Sequence, residues 1–273
     1  MTARALAPSL AAAILFAGAA CASDRLPDGG VAEAPGMGAV RAWYGQPTTR
    51  YAHGVLGDAV EGGSLVAVDH EGHRHELVLP ERHVFEDITP RLADLDGDGH
   101  NEIVTIRSDR EFGAAVAVYH VAGGTLAERA ASAPVGRANR WLSIAGIARF
   151  ADRPGLQIAI VTTPHIDGVL EILALNGGRL ERLYPPQAGY ASHFIGSRHV
   201  SLAASADLDG DGRAELALPD RARTRIVVLS FGARIERAID RALPSRVIGP
   251  IRVDDGRLVL PLESGEAIVA TGK

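Results

Sequence analysis

The chain has 273 residues, of which 47% are hydrophobic and 5% aromatic, with 31 glycines. Its 28 basic and 33 acidic residues leave −5 at neutral pH, which gives no reason to expect a nucleic-acid or anionic-membrane partner. One cysteine, Cys21, excludes an intramolecular disulfide. One lysine, Lys273, excludes an internal Schiff-base or phosphate-loop lysine.

Residues 1–22 read as a secretory signal. Arg4 precedes an alanine-rich apolar run from Leu10 to Ala20, and small residues close it. That run falls short of the roughly 20 residues a transmembrane helix needs, and no other stretch comes close. Ala20-Cys21-Ala22 suits cleavage after Ala22. Gly18-Ala19-Ala20-Cys21 half-resembles a lipobox, which would make Cys21 a lipid anchor. The first route is favoured, because Gly18 stands where a lipobox usually has leucine. Either route implies an exported protein of bacterial type: periplasmic, extracellular or attached to the outer membrane. Residues 23–40, with Pro27, Gly29, Gly30, Pro35, Gly36 and Gly38, read as a flexible linker.

From Arg41 onward, short β-like runs alternate with Gly, Asp and Pro turns, and no segment sustains a helical period. Glu102–Ile106, Ala115–Tyr119 and Ile226–Leu229 are examples. The fold class is all-β. Ala93-Asp94-Leu95-Asp96-Gly97-Asp98-Gly99 returns 113 residues later as Ala206-Asp207-Leu208-Asp209-Gly210-Asp211-Gly212. Between them lies a degraded copy, Ala151-Asp152-Arg153-Pro154-Gly155, and fainter echoes sit near Asp58 and Asp254. Units of about 55 residues with some four strands each fit the blades of a propeller. The expectation is a single domain over 41–273 with about five blades, at 46–83, 84–134, 135–190, 191–244 and 245–271. The last unit runs out of strands, and Ala39–Tyr44 is expected to complete it and close the ring. A stack of hairpins without closure is the rival architecture.

The two acidic loops share the pattern D-x-D-x-D-G-x-x-E. Alternate carboxylates can converge on one point only if the backbone coils tightly, which Gly97, Gly99, Gly210 and Gly212 permit. Hard oxygen ligands at that density suit Ca²⁺. The expected ligands are Asp94, Asp96, Asp98 and Glu102 in one loop and Asp207, Asp209, Asp211 and Glu215 in the other. His100 and Arg213 would contribute backbone carbonyls. An EF-hand is excluded, because its twelfth position here is Thr105 or Leu218, inside a β-run. The loops resemble those of FG-GAP/VCBS repeats, the calcium-bearing hairpins of integrin-α-type β-propellers. That resemblance implies acids at positions 1, 3, 5 and 9 as ligands, with the position-7 carbonyl. It covers 41–271 as architecture and matches at motif level only in the two loops. Asp152 and Asp254-Asp255 are too sparse to imply further sites.

Other candidates carry less chemistry. His70, His73 and His75, with Glu71 and Glu76, offer imidazoles for a transition metal but straddle a glycine turn. His193 and His199, near Tyr190, Phe194 and Arg198, read as a surface loop. Arg137, Arg140 and Trp141 offer charge and stacking for an acidic or sugar ligand. The inner-strand regions supply His53, Arg91, Arg149 and His199, a set with no evident acid–base pair. No catalytic motif is present. The favoured expectation is a monomeric, non-catalytic propeller with two Ca²⁺ that presents a surface to a protein or glycan. The alternative is a secreted propeller enzyme, a polysaccharide lyase or hydrolase, with its site in the central channel.

Overall fold

The computed structural model describes residues 25–271, which form twenty β-strands and no helix. The leader, residues 1–22 with Cys21, lies outside the described residues. No helix is long and apolar enough to cross a membrane among those described.

The strands fall into four sheets. The last three are simple antiparallel meanders. Leu142–Ala148, Gln157–Thr162, Val169–Asn176 and Arg179–Arg182 make one. Ala204–Ala206, Glu215–Pro219, Arg225–Phe231 and Ile235–Ala242 make the next. Arg252–Asp254, Arg257–Leu262 and Gly265–Ala270 make the last. Burial peaks in the middle strands, such as Glu215–Pro219 and Arg257–Leu262, and falls toward the last strand of each sheet. Glu215–Pro219 is buried throughout, whereas the outer strand Ile235–Ala242 has no fully buried residue. Inner strands covered on both faces are accordingly continuous apolar runs, not alternating ones.

The first sheet has nine strands and joins what the sequence suggests as two units, 46–83 and 84–134. The short strand His83–Phe85 makes the joint. It meets Gly62 on one edge and Arg107–Asp109 on the other. Gly62 is needed there because a Cβ would lie 2.9 Å from that of Tyr44. Without it, the Tyr44 ring stacks on Phe85 at 5.0 Å.

Two expectations need correction. Ala39–Tyr44 does not complete the last sheet. It belongs to Met37–Thr48, whose one edge pairs with Glu61–Asp69. Its other edge is taken by Ala32–Glu33, by the bridge Arg25–Gly45 and by His100–Asn101. No edge remains for a distant strand, and the last sheet keeps three. Residues 25–40 are likewise no flexible linker. Leu26 is 2% exposed in the core beside Tyr44 and Phe85, its N–H donates to the Tyr44 carbonyl, and the Gly30 N–H donates to that of Ile88. The glycines and prolines serve as turns of a packed segment.

Four apolar clusters link these units in chain order. One lies within the first sheet, and the others join it to the second, the second to the third, and the third to the fourth. Long loops then cross the middle of the assembly. The Gly196 N–H donates to the Val55 carbonyl at 2.9 Å, bringing residues near 53 against residues near 193.

Candidate functional site

Each acidic loop connects a short inner strand to a long buried one, Arg91–Ala93 to His100–Asp109 and Ala204–Ala206 to Glu215–Pro219. Their hydrogen bonds correspond one for one. Asp94 accepts from the N–H groups of Gly97 and Gly99, as Asp207 does from Gly210 and Gly212. Glu102 accepts from Leu95 N–H at 2.9 Å, and Glu215 from Leu208 N–H at 2.7 Å. The glycines have φ between +80° and +88°, the left-handed turn this coil requires.

Within each loop, three carboxylates offer oxygens that lie within 4.8 Å of one another: Asp94, Asp96 and Glu102, and Asp207, Asp209 and Glu215. Such a group could hold a metal ion. The fifth-position acids stand aside. Asp98 accepts from His100 N–H at 2.8 Å, with the His100 ring 3.3 Å away. Asp211 accepts from Arg213 N–H and pairs with its guanidinium. Burial raises the Glu102 carboxyl to about 7 against the opposing pull of Arg129, and pushes Glu215 up as well. An all-oxygen donor set with backbone-braced carboxylates fits a hard divalent cation such as Ca²⁺.

The histidine-rich hairpin gathers around a residue that spacing did not single out. Asp69 lies 2.8 Å from His75 Nε2 and 3.5 Å from His73 Nδ1, and its other oxygen accepts two backbone N–H groups. Asp69, Glu71 and His73 form a third group able to hold a cation, whereas His70 is exposed. Glu76 instead binds Ser64, Arg74 and Gln46. A cleft of about 560 Å³ separates this hairpin from the first acidic loop, lined by His73, His100, Glu102, His120 and Arg129 among others.

A second constellation lies in the interior, and its acids escaped sequence reasoning. Glu86 is fully buried, with His53 Nδ1 at 2.6 Å from one carboxylate oxygen and the Ser108 hydroxyl on the other. Burial raises the Glu86 carboxyl, and its contacts with His53 and Ser108 oppose that rise; when Glu86 is ionised, Nδ1–H is the donor and Nε2 the acceptor. Glu61 is 2% exposed. Burial, then the charges of Glu86, Asp58 and Asp87, push it up to about 9, so it is protonated at neutral pH. Asp87 accepts from the Tyr44 hydroxyl at 2.8 Å and pairs with Arg91.

His193 is 1% exposed, not on a surface loop. Its Nε2 donates to the Ser197 carbonyl at 3.0 Å, so Nδ1 accepts from His165 Nε2 at 2.8 Å. Burial lowers His165 to about 3 and His193 to about 4, which keeps both neutral. Trp141 is no open stacking platform. It is 2% exposed, packed on His193 at 4.6 Å, and donates its indole N–H to the Glu86 carbonyl. Arg149 instead pairs with Asp152, whereas His199 lies close enough for its charge to lower His193. The missed acids had a legible signal: Glu61, Glu86 and Asp87 interrupt apolar or small-residue runs with charge.

The chain is therefore an all-β protein of successive, mainly antiparallel sheets with three side-chain groups able to hold a cation among the described residues. No protein-family model matches it, and no curated protein matches it. Among solved structures, it is similar to the rhamnogalacturonan lyase YesW, at TM-score 0.51 and 14% identity over 91% of this chain and 53% of that one. The exotype rhamnogalacturonan lyase YesX aligns at TM-score 0.44 and 12% identity, over 91% of this chain and 59% of that one. Sqt1 of Saccharomyces cerevisiae aligns at TM-score 0.44 and 16% identity, over 77% and 56%. The chain thus spans little more than half the length of these structures, and the likeness to YesW is one of fold.

Proposed function

We propose that this chain is an exported, calcium-braced β-propeller of the FG-GAP/VCBS type. The fused first sheet counts as two of its five blades. Two Ca²⁺, held by Asp94, Asp96, Asp98 and Glu102 and by Asp207, Asp209, Asp211 and Glu215, stiffen the inner loops. The fifth-position acids swing in from His100 and Arg213 to complete each set. The scaffold so braced presents a surface to a protein or glycan. One observation supports this above all: the same motif, 113 residues apart, folds into the same hydrogen-bonded coil twice. Bound calcium at ten times its dissociation constant would stabilise the fold by roughly 1.4 kcal/mol per site. Excess chelator should therefore lower the melting temperature, and Asp96→Ala with Asp209→Ala should abolish that sensitivity. An unchanged melting curve in chelator sinks the reading.

The interior cluster favours a second reading, a polysaccharide lyase type. Eliminating across a uronate needs a base to take the proton beside the carboxylate and an acid to protonate the departing sugar oxygen as its C–O bond breaks. His53, oriented by Glu86, has the base's free nitrogen, and Glu61 holds the acid's proton. The fold likeness to a rhamnogalacturonan lyase is compatible with this. Incubation with rhamnogalacturonan, followed by ultraviolet absorbance of unsaturated uronate ends, tests it. Activity lost in His53→Gln supports the reading, and no activity in the wild type removes it.

A further inference from the structure

The two acidic loops are alike in motif and unlike in what surrounds them. Arg129 ion-pairs with Asp96 through one guanidinium nitrogen and with Glu102 through another. It therefore spans two of the three carboxylates that converge in the first loop. Nothing equivalent reaches the second. Its nearest cation, Arg213, turns to Asp211 and to the Phe231 carbonyl, and Asp207, Asp209 and Glu215 form no ion pair among the described residues.

The strand register shows why. Beside the first loop Val118 pairs with Ala130 and Tyr119 with Glu128, so Arg129 is the extra residue of a β-bulge. Beside the second loop Val228 pairs with Ile239 and Leu229 with Arg237, so Ala238 is the extra residue. The two bulges are equivalent: Tyr119 faces Ile103, next to Glu102, and Leu229 faces Leu216, next to Glu215. A bulge re-aims the side chain it carries. Here one bulge aims a guanidinium at the acidic loop, and the other holds a methyl group.

We propose that Arg129 is a built-in counter-cation of the first loop, so that the two loops bind calcium unequally. The Asp207–Glu215 loop fills first. The Asp94–Glu102 loop fills only as its ion pairs with Arg129 are exchanged for the metal. This rests on the calcium reading above. Giving up two charge-assisted contacts should separate the affinities by about ten- to a hundredfold.

Calorimetric titration of the full chain with CaCl₂ tests this. The wild type should show one tight and one weak site, and Asp209→Asn should leave only the weak one. Arg129→Ala should bring the weak site to within a few-fold of the tight one. Ala238→Arg, on an exposed strand that tolerates a long side chain, should weaken the second site and so keeps the proposal testable if Arg129→Ala folds poorly. Two equal sites in the wild type, or an unmoved second site in Ala238→Arg, overturn the proposal. Absence of calcium binding in the wild type and in Arg129→Ala overturns the calcium reading itself.

Discussion

Glu61 and Glu86 are buried neighbours across two antiparallel strands, each one position beyond the pair Gly62–Phe85. Two acids so placed cannot both ionise cheaply. Burial raises both; Glu86 has His53 and Ser108 to oppose the rise, whereas Glu61 has neither and keeps its proton.

The pH dependence follows from that division. In the unfolded chain Glu61 ionises near 4.5, whereas in the fold it holds its proton to about 9. Its favourable contribution is full below about 4.5 and is lost progressively as pH rises toward about 9. Glu61→Gln should match the wild type in acid and exceed it by on the order of 2–4 kcal/mol at pH 9, less than full linkage because water rearranges around an ionised group. Thermal melts across that range check it. Parallel curves for the two proteins would count against it.

Gly155 supports the first acidic loop from the neighbouring unit. Its φ is +70°, a Cβ would stand 2.6 Å from the Asp96 amide nitrogen, and the next residue, Leu156, donates to the Asp94 carbonyl. The degraded third copy of the motif thus braces the first. Gly155→Ala should cost about 2–4 kcal/mol, from strain and from displaced backbone. Gly256→Ala, at φ +66° in open space, should cost only about 1 kcal/mol. Denaturant midpoints separate the two.

The N-terminal segment makes a third prediction. Leu26→Ala should cost about 2–4 kcal/mol if the residue belongs to the core it occupies. In a flexible linker the same change would cost under about 0.5 kcal/mol. Urea unfolding decides between them.

Much of this was legible in the chain. Runs such as Glu102–Ile106 specify strands through β-branched residues, and the spacing of eight acids marks both loops. The failures have a common cause. Pro27, Gly29 and Gly30 suit a linker and a packed turn equally, and only the distant Tyr44 carbonyl distinguishes them. Ala39–Tyr44 reads as a spare strand because both of its edges are filled by segments whose register sequence does not display. His53 meets Glu86, and His165 meets His193, only through strand pairing and loop crossing over long separations. Local spacing carries no trace of that.

Arg129 also bears on how the chain acquires its fold. Carboxylates crowded in one turn repel until a cation joins them. The first loop brings that cation on its own outer strand, so it can settle in a medium where calcium is scarce. The second has no such partner among the described residues, so its carboxylates face one another without a counter-charge. Two copies of one motif thus carry their charge differently: one is partly neutralised by its own outer strand, and the other is not.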